Sequence, residues 1–182
     1  MAFERVATEQ VWNGRIASVR VERWRHDDGE VVEREIVGHP GAVCVVAHDG
    51  EKLWLVRQPR EAVGDPALLE LPAGKLDEES EDVLATAKRE LAEEIGKSAK
   101  TWEHLTTFYA SPGFSDEEIW VYLATDLYED HAETDENERI EIEAVPLTDL
   151  DDVIRGCKDS KSLIGLLWFR AFHMSGSGGG GA

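Results

Sequence analysis

Hydrophobic and polar residues alternate near the start of the chain, which predicts strands that are buried on one face. Residues 15–23 alternate in this way, and Asp28-Gly29 offers a hairpin turn into a second alternating segment at residues 31–37. We expect these two segments to form a small N-terminal strand pair, which is too small to bury a core by itself.

Two continuous apolar runs follow, and they predict strands that are buried on both faces. They read AVCVVA at residues 42–47 and LWLVR at residues 53–57, and Asp49-Gly50 is the turn between them. Residues 60–71 contain Gly64 and Pro66 and are expected to form a loop. Further strands are predicted at residues 102–109, 119–124 and 139–145.

Three helices are predicted in the remaining segments. Residues 81–95 carry an apolar stripe at helical spacing, formed by Leu84, Ala87, Leu91 and Ile95. Thr148 is expected to cap a helix over residues 149–155, and Ser160 to cap a last helix. Strands interleaved with one central and two terminal helices indicate a mixed α+β or α/β sandwich. The last residues, SGSGGGGA at 175–182, are expected to be a flexible tail.

Composition restricts the partners and the compartment. The 182 residues carry a formal net charge of −19, and we expect neither nucleic acid nor a membrane as a partner, because binding phosphate backbones takes clustered Lys and Arg. Cys44 and Cys157 have no metal-ligand spacing and are expected to be reduced. The chain has no run of eighteen apolar residues and no apolar signal region at its start. We therefore expect a cytoplasmic protein.

The segment from Gly74 to Gly96 concentrates the candidate chemistry. It contains eight carboxylates and three basic residues, and Glu90, Glu93 and Glu94 fall within about one turn of the predicted helix. Like charges at this spacing repel each other by roughly 0.2–0.5 kcal/mol per pair, so a cation is expected beside them. Clustered hard oxygen ligands suit Mg²⁺ or Mn²⁺. The alternative is an ordinary acidic, solvated helix.

The order Gly74-x6-Glu81-x7-Arg89-Glu90-Leu91-x-Glu93-Glu94-x-Gly96 resembles the Nudix box, the signature of hydrolases of nucleoside diphosphates linked to another moiety. Two departures stand out: six residues instead of five separate the first Gly from the first Glu, and Lys97 occupies an apolar position. The resemblance covers about residues 35–146 and implies an α/β/α sandwich with a mixed sheet. We accordingly expect a strand unit at 1–37, a Nudix domain at 38–174 and a tail at 175–182.

Four short segments outside the box resemble the ADP-ribose pyrophosphatase branch of this family. They are RQPR at 57–60, LPAG at 71–74, SPGFSDE at 111–117 and DENE at 135–138, and Pro112 lies sixteen residues beyond Gly96. The resemblance implies Mg²⁺-dependent hydrolysis of ADP-ribose to AMP and ribose 5-phosphate, with Mn²⁺ as a substitute ion. It also implies a homodimer in which the N-terminal strands are exchanged between subunits.

The resemblance also assigns roles to individual residues. It implies Glu90, Glu94 and the carbonyl of Ala73 as metal ligands, with Glu93 as a further ligand or support. Arg89 would pair with a box carboxylate and orient it, without binding the metal itself. The catalytic base would be Glu136, with Glu138 as a neighbour that reaches a metal. Glu81 is either a charge at the helix N-terminus or a contributor to metal binding.

Substrate contacts are expected from side chains that match phosphate or an aromatic base. Arg60 is the first candidate for the diphosphate or terminal ribose and Arg34 the second, because guanidinium binds phosphate oxygens in a bidentate manner. Trp24 is a candidate platform for adenine, although a core or interface role is at least as consistent with it. Pro112 and Gly113 are expected to shape a loop near the substrate.

Two other functions remain open at this stage. A different Nudix specificity, such as a sugar nucleotide or a dinucleotide polyphosphate, would share the metal site and differ in the pocket. A non-catalytic Nudix module that senses a nucleotide would commonly lack the box glutamates, which are intact here. The hydrolase interpretation is therefore favoured.

Overall fold

The structure, a computed structural model, describes residues 1–76, 82–130 and 139–174. The chain divides into two compact units. The first unit comprises Met1–Gly41 and Phe108–Ile119, and the second comprises Ala42–Thr107 and Trp120–Ala182. The sequence predicted that the N-terminal unit ends at residue 37, four residues before Gly41. It did not predict that Phe108–Ile119 belongs to the same unit.

The first unit is built on an antiparallel sheet of three strands, where the sequence predicted two. The strands are β1 (Phe3–Asn13), β2 (Ser18–His26) and β3 (Val31–Gly38), in the order β1-β2-β3. The predicted turn is confirmed, since Gly29 has a φ of 88° and its N–H donates to the carbonyl of His26 over 3.0 Å. Every residue of β1 is exposed. This strand therefore lacks the one-sided burial that made the other two recognisable.

The second sheet has seven strands and is mixed, as predicted. The strands are β4 (Ala42–His48), β5 (Lys52–Arg60), β6 (Asp65–Glu70), β7 (Ala73–Lys75), β8 (Lys97–Tyr109), β9 (Glu118–Glu129) and β10 (Glu141–Pro146). Their order is β10-β5-β4-β9-β8, with β6 paired to β5 and β7 paired to β4. The continuous apolar run of β4 is buried at six of its seven residues, which confirms the prediction of a core strand.

The prediction of a loop at residues 60–71 is wrong. Asp65–Glu70 forms β6, which pairs antiparallel with β5 so that Val56 faces Glu70. The glycine and proline mark only a short 3₁₀ turn, Glu61–Val63, which ends at Gly64 with a φ of 66°. Pro66 lies near the start of the strand, where its missing N–H is tolerated.

In the part of the chain that the structure describes, three α-helices complete the fold: α1 (Val83–Ile95), α2 (Leu150–Gly156) and α3 (Ser160–Phe172). The predicted stripe of α1 is confirmed at Ala87, Leu91 and Ile95, which are buried in a cluster with β4 and β5 residues. The predicted caps of the last two helices are wrong. Asp159, not Ser160, caps α3 by accepting from the Ser162 N–H, and α2 follows a 3₁₀ turn with no side-chain cap.

One glycine of α3 sets how closely this helix approaches the sheet. A Cβ on Gly165 would lie 2.9 Å from a Leu71 methyl carbon, so a larger residue would push the helix outwards. The contact places α3 next to the residue that begins the LPAG segment. No helix in the described part of the chain has both the length and the apolar character needed to cross a bilayer.

Candidate active site

Glu94 connects the box helix to the short strand β7. Its side chain lies near the end of α1, only 5% of the residue is exposed, and its Oε2 accepts the Ala73 N–H over 2.9 Å. Burying a carboxylate costs free energy unless hydrogen bonds or a cation compensate. The buried Glu94 carboxylate and the Ala73 backbone, which the resemblance implies as two metal ligands, therefore lie next to each other; their role as ligands stays a prediction.

Glu90 lies one turn earlier on the same helix, and its carboxylate covers Gly74. A Cβ built on Gly74 would lie 1.9 Å from both Cδ and Oε1 of Glu90. Only a residue without a side chain leaves room for the carboxylate in this place. The absence of a side chain at Gly74, in the LPAG segment, thus allows the Glu90 carboxylate to take its position. The sequence of either segment alone does not show this relation.

Arg89 contacts two of the three glutamates of α1. Its Nη1 lies 2.9 Å from Glu90 Oε1 and 2.8 Å from Glu93 Oε2. The contact with Glu90 fixes the direction of that carboxylate, as a charge-assisted hydrogen bond does. Both contacts also partly neutralise the repulsion between Glu90 and Glu93.

The donor set of this region fits a hard divalent cation. Within residues 1–76, 82–130 and 139–174, no group of three or more His, Cys, Asp or Glu side chains is arranged to hold a metal ion. Mg²⁺ usually takes one or two protein carboxylates and completes its shell with water and substrate phosphate oxygens. Glu90 and Glu94 bring two carboxylates of that kind beside Ala73 and Gly74.

Arg60, at the end of β5, pairs with a buried carboxylate. Its guanidinium donates two hydrogen bonds, of 2.6 and 2.8 Å, to Glu70, a residue that is only 1% exposed. Lys161 of α3 also donates to Glu70 and lies 3.0 Å from Asp159. Arg60 is therefore a fixed cation, and it lies close enough to Glu94 for the charge of that carboxylate to raise its pKa further.

The ion pairs of this network lower the pKa of Glu70 and raise the pKa of Arg60. Burial alone would raise the pKa of Glu70, but the hydrogen bonds and charges of Arg60 and Lys161 outweigh it and lower that pKa. The hydrogen bond to Glu70 is the main reason that the pKa of Arg60 is raised. Burial raises the pKa of the nearby Cys44 to about 12, so this thiol stays protonated and unreactive.

A cavity of about 330 Å³ lies within the first unit. Its lining includes Trp24 and Arg34 from β2 and β3, and Pro112 and Gly113 from the SPGFSDE segment. Phe3 of β1 also lines it and meets Trp24 edge to face, with 5.3 Å between ring centroids. Four of the five substrate-binding residues expected from the sequence are thus brought together, around a mixture of aromatic surface and one guanidinium.

Comparison with known proteins identifies the family. Residues 38–165 match the model of the NUDIX domain. The chain belongs to the Nudix family. Nudix membership and the enzyme class predicted with it are confirmed by this match and by the relatives below.

Two relatives are similar over most of the chain. An ADP-ribose pyrophosphatase of Bacillus subtilis is 43% identical over 147 residues, which cover 79% of this chain and 78% of the relative. A methanol dehydrogenase activator of Bacillus methanolicus is 39% identical over 173 residues, which cover 91% of each chain. The first of these relatives bears the name of the branch that the four short segments predicted.

A solved structure supports the fold. The crystal structure of an ADP compounds hydrolase superposes with a TM-score of 0.84, at 23% identity, over 96% of this chain and 95% of that one. The expected Nudix sandwich with a mixed sheet is therefore confirmed.

Lys97, the departure from the Nudix box at the position after Gly96, has a structural explanation. Its ammonium lies 4.2 Å from the centroid of the Trp54 ring and pairs with Glu129. Only 11% of its side chain is exposed, so its methylene stem fills the place of the usual apolar residue. Gly96 itself ends α1 in the left-handed conformation, with a φ of 66°.

Three expected Nudix residues, Glu81, Glu136 and Glu138, lie outside the described residues. Sequence reasoning in turn missed Glu70 as the partner of both Arg60 and Lys161, and Asp116 as a partner of Arg20. Glu70 directly precedes LPAG, and Asp116 lies inside SPGFSDE, so both residues lie in or beside segments that resemble the ADP-ribose pyrophosphatase branch. Their partners are distant in sequence and leave no local signal.

Proposed function

We propose that the protein hydrolyses ADP-ribose to AMP and ribose 5-phosphate in a reaction that depends on Mg²⁺, with Mn²⁺ as a substitute. Water adds to one phosphorus, the bridging P–O bond breaks, and each product keeps one phosphate. The observation that carries this proposal is the convergence of Glu94 and Glu90 on Ala73 and Gly74 in a Nudix chain. The name of the Bacillus subtilis relative supports the choice of substrate.

Glu90, Glu94 and the carbonyl of Ala73 would hold the cation, with Glu93 as support through Arg89. When bound, a divalent cation neutralises diphosphate oxygens and makes a coordinated water more acidic. The hydrogen bond from the Ala73 N–H keeps the Glu94 carboxylate in place, and Arg89 does the same for Glu90. Glu136 is our candidate for the base that accepts the proton of the attacking water, with Glu138 beside it in sequence.

Substrate recognition is assigned to two groups of residues. Arg60, held by Glu70 and in electrostatic reach of Glu94, would interact with the diphosphate or the terminal ribose. The cavity lined by Trp24, Arg34, Pro112 and Gly113 would bind the adenosine half, since aromatic side chains stack on a base. Cys44 and Cys157 are both free thiols, which fits the cytoplasm that we propose as the compartment.

A substrate panel tests this function. Purified protein with and without Mg²⁺ would be offered ADP-ribose, sugar nucleotides and dinucleotide polyphosphates, and the products identified. We expect AMP from ADP-ribose with the highest kcat/KM, only when the cation is present. A higher kcat/KM for another nucleoside diphosphate derivative would keep the Nudix chemistry and replace the substrate. No hydrolysis of any member would favour a module that acts by binding, a role compatible with the activator relative.

We also propose a homodimer that forms through the N-terminal strands. β1 is an edge strand of eleven residues, all of them exposed, and it displays Phe3, Val11 and Trp12 to solvent. A long exposed edge with apolar side chains is a template for pairing with another chain. Light scattering at micromolar concentration should give twice the mass of the chain. A fully active monomer would contradict the dimer.

A further inference from the structure

The SPGFSDE segment, called here the 111–117 loop, is attached to the end of β3. The Val37 N–H donates to the Phe114 carbonyl over 2.7 Å, and the Asp116 N–H donates to the Val37 carbonyl over 3.2 Å. Val37 and Ser115 form a parallel bridge. These bonds lie directly beside Pro112 and Gly113, so the attachment determines where this wall of the cavity stands.

The Asp116 side chain reinforces the attachment with both of its oxygens. Its Oδ2 accepts from Arg20 Nη2 over 2.8 Å, and its Oδ1 accepts the His39 N–H over 2.9 Å. Burial would raise the pKa of Asp116, but the hydrogen bonds from Arg20 and from the His39 N–H, together with the charge of Arg20, outweigh it and lower that pKa, so the carboxylate is held in its charged form. Asp116 thus ties β2, the residue after β3 and the loop to one another.

Arg20 is in turn held rigidly on β2. Its Nε donates over 2.8 Å to Glu22, a residue only 1% exposed that also accepts from Arg5 over 3.0 Å. Gly38 leaves space that the guanidinium shares with the Ser18 hydroxyl, because a Cβ there would lie 2.7 Å from Arg20 Nη1 and 2.6 Å from Ser18 Oγ. The cation that meets Asp116 is therefore pre-oriented and loses little freedom when it binds the loop.

We propose that Arg20 and Asp116 are positioning residues for substrate binding: their ion pair holds the 111–117 loop as the wall of the nucleotide cavity. The inference rests on the proposed function, in which this cavity binds the adenosine half. Arg20 and Asp116 act through Pro112 and Gly113. Their loss should weaken ground-state and transition-state binding equally, and so raise KM with little change in kcat.

The test compares Asp116→Asn and Gly38→Ala with wild-type protein. Asp116→Asn keeps an oxygen for the His39 N–H and removes the charge facing Arg20, whereas Gly38→Ala leaves Asp116 intact and displaces the guanidinium. We expect each variant to raise KM for ADP-ribose roughly tenfold, with kcat within about threefold, and to weaken AMP binding in calorimetry by the same factor. The double variant should be less than additive, because both changes break one contact.

Arg23→Gln is the matched control, since it removes an exposed ion pair with Glu33 on the same sheet. Hydrogen exchange gives a reading that does not need activity: the amides of Val37 and Asp116 should exchange faster in Asp116→Asn and unchanged in Arg23→Gln. Additive effects in the double variant, an unchanged KM, or a fall in kcat without a change in KM would overturn the proposal.

Two results separate this inference from the proposed function. Wild-type protein that binds AMP but does not hydrolyse ADP-ribose would contradict the proposed function alone, and AMP affinity would then decide the role of the ion pair. Wild-type protein that does not bind AMP would overturn the positioning role for a nucleotide.

Discussion

Gly74 and Glu90 illustrate how single residues define the site. The Glu90 carboxylate occupies the volume where any side chain at position 74 would begin, and Arg89 holds it there. The colliding atoms belong to the far end of a long side chain. A substitution at Gly74 should therefore displace the Glu90 carboxylate, our proposed metal ligand, more than it disturbs the fold.

Gly74→Ala tests this relation. We expect a loss of activity on the order of 10²-fold, because a misplacement of about 1 Å can have that effect, together with a small change in the free energy of unfolding. Gly156→Ala is the control, since no atom outside its local chain lies within 4 Å of a Cβ there. Normal turnover in Gly74→Ala would show that the position of Glu90 is not critical.

Glu136→Gln tests the base at the same scale. The change keeps the shape of the side chain and removes the proton acceptor, so kcat should fall by on the order of 10²–10⁴ while substrate and Mg²⁺ binding survive. Glu138→Gln and Glu93→Gln would be measured beside it. A large loss in one of those two, with normal turnover in Glu136→Gln, would move the role of base to that residue.

Site residues were predictable from the sequence where one helix or one loop contains them. The spacing of Arg89, Glu90 and Glu94 predicts a shared site because α1 is regular. The pairing of Arg60 with Glu70 depends on the pairing of β6 with β5, and the Gly and Pro of residues 60–71 predict a loop there instead of a strand. The contact between Arg20 and Asp116 joins residues 96 positions apart. Spacing carries no information about such contacts.

At the scale of elements, α1 and α3 are each capped by an aspartate, and the two aspartates differ in how many other contacts they make. Asp82 caps α1 by accepting the Ala85 N–H over 2.8 Å. Asp159 caps α3 and in addition accepts the Ser162 hydroxyl over 2.6 Å and pairs with Lys161. Periodicity located both helices, but the capping residue of α3 was misassigned by one position because Ser160 is an equally good capping type.

The two caps should differ in their contribution to stability. Asp82→Ala should lower the free energy of unfolding by about 1 kcal/mol, the usual value for a cap. Asp159→Ala should cost roughly 3 kcal/mol, because it also leaves Lys161 with one partner fewer in a buried network. Urea unfolding measures both. Equal losses would show that the additional contacts of Asp159 contribute nothing.

At the scale of the whole molecule, a chain with a net charge of −19 uses some of its Lys and Arg side chains to neutralise buried carboxylates. Arg60 and Lys161 both form ion pairs with Glu70, and Arg20 and Arg5 both form ion pairs with Glu22. Each network joins distant segments within one compact unit. Composition gives the excess of carboxylates, but only the fold shows which of them the cations meet.

The network around Glu70 should give the stability a specific dependence on pH. Since the folded pKa of Glu70 is below its usual 4.5, its stabilisation is fully present above about pH 4.5 and is lost as the pH falls through the folded value. The difference in unfolding free energy between wild type and Glu70→Gln should therefore be large at pH 7 and shrink in acid. A difference that stays constant across this range would contradict the ionised, paired state of Glu70.

The most direct test of the central claim, that the α1 carboxylates carry a cation-dependent hydrolysis, is a Mg²⁺ titration of AMP release from ADP-ribose by Glu94→Gln. We expect turnover to fall by several powers of ten and the apparent Mg²⁺ affinity to weaken, because a metal ligand is lost. The exposed Glu51→Gln serves as the control and should match wild type, and circular dichroism should show that both variants are folded. Near-normal turnover of Glu94→Gln at low Mg²⁺ would contradict the claim and place the metal site elsewhere.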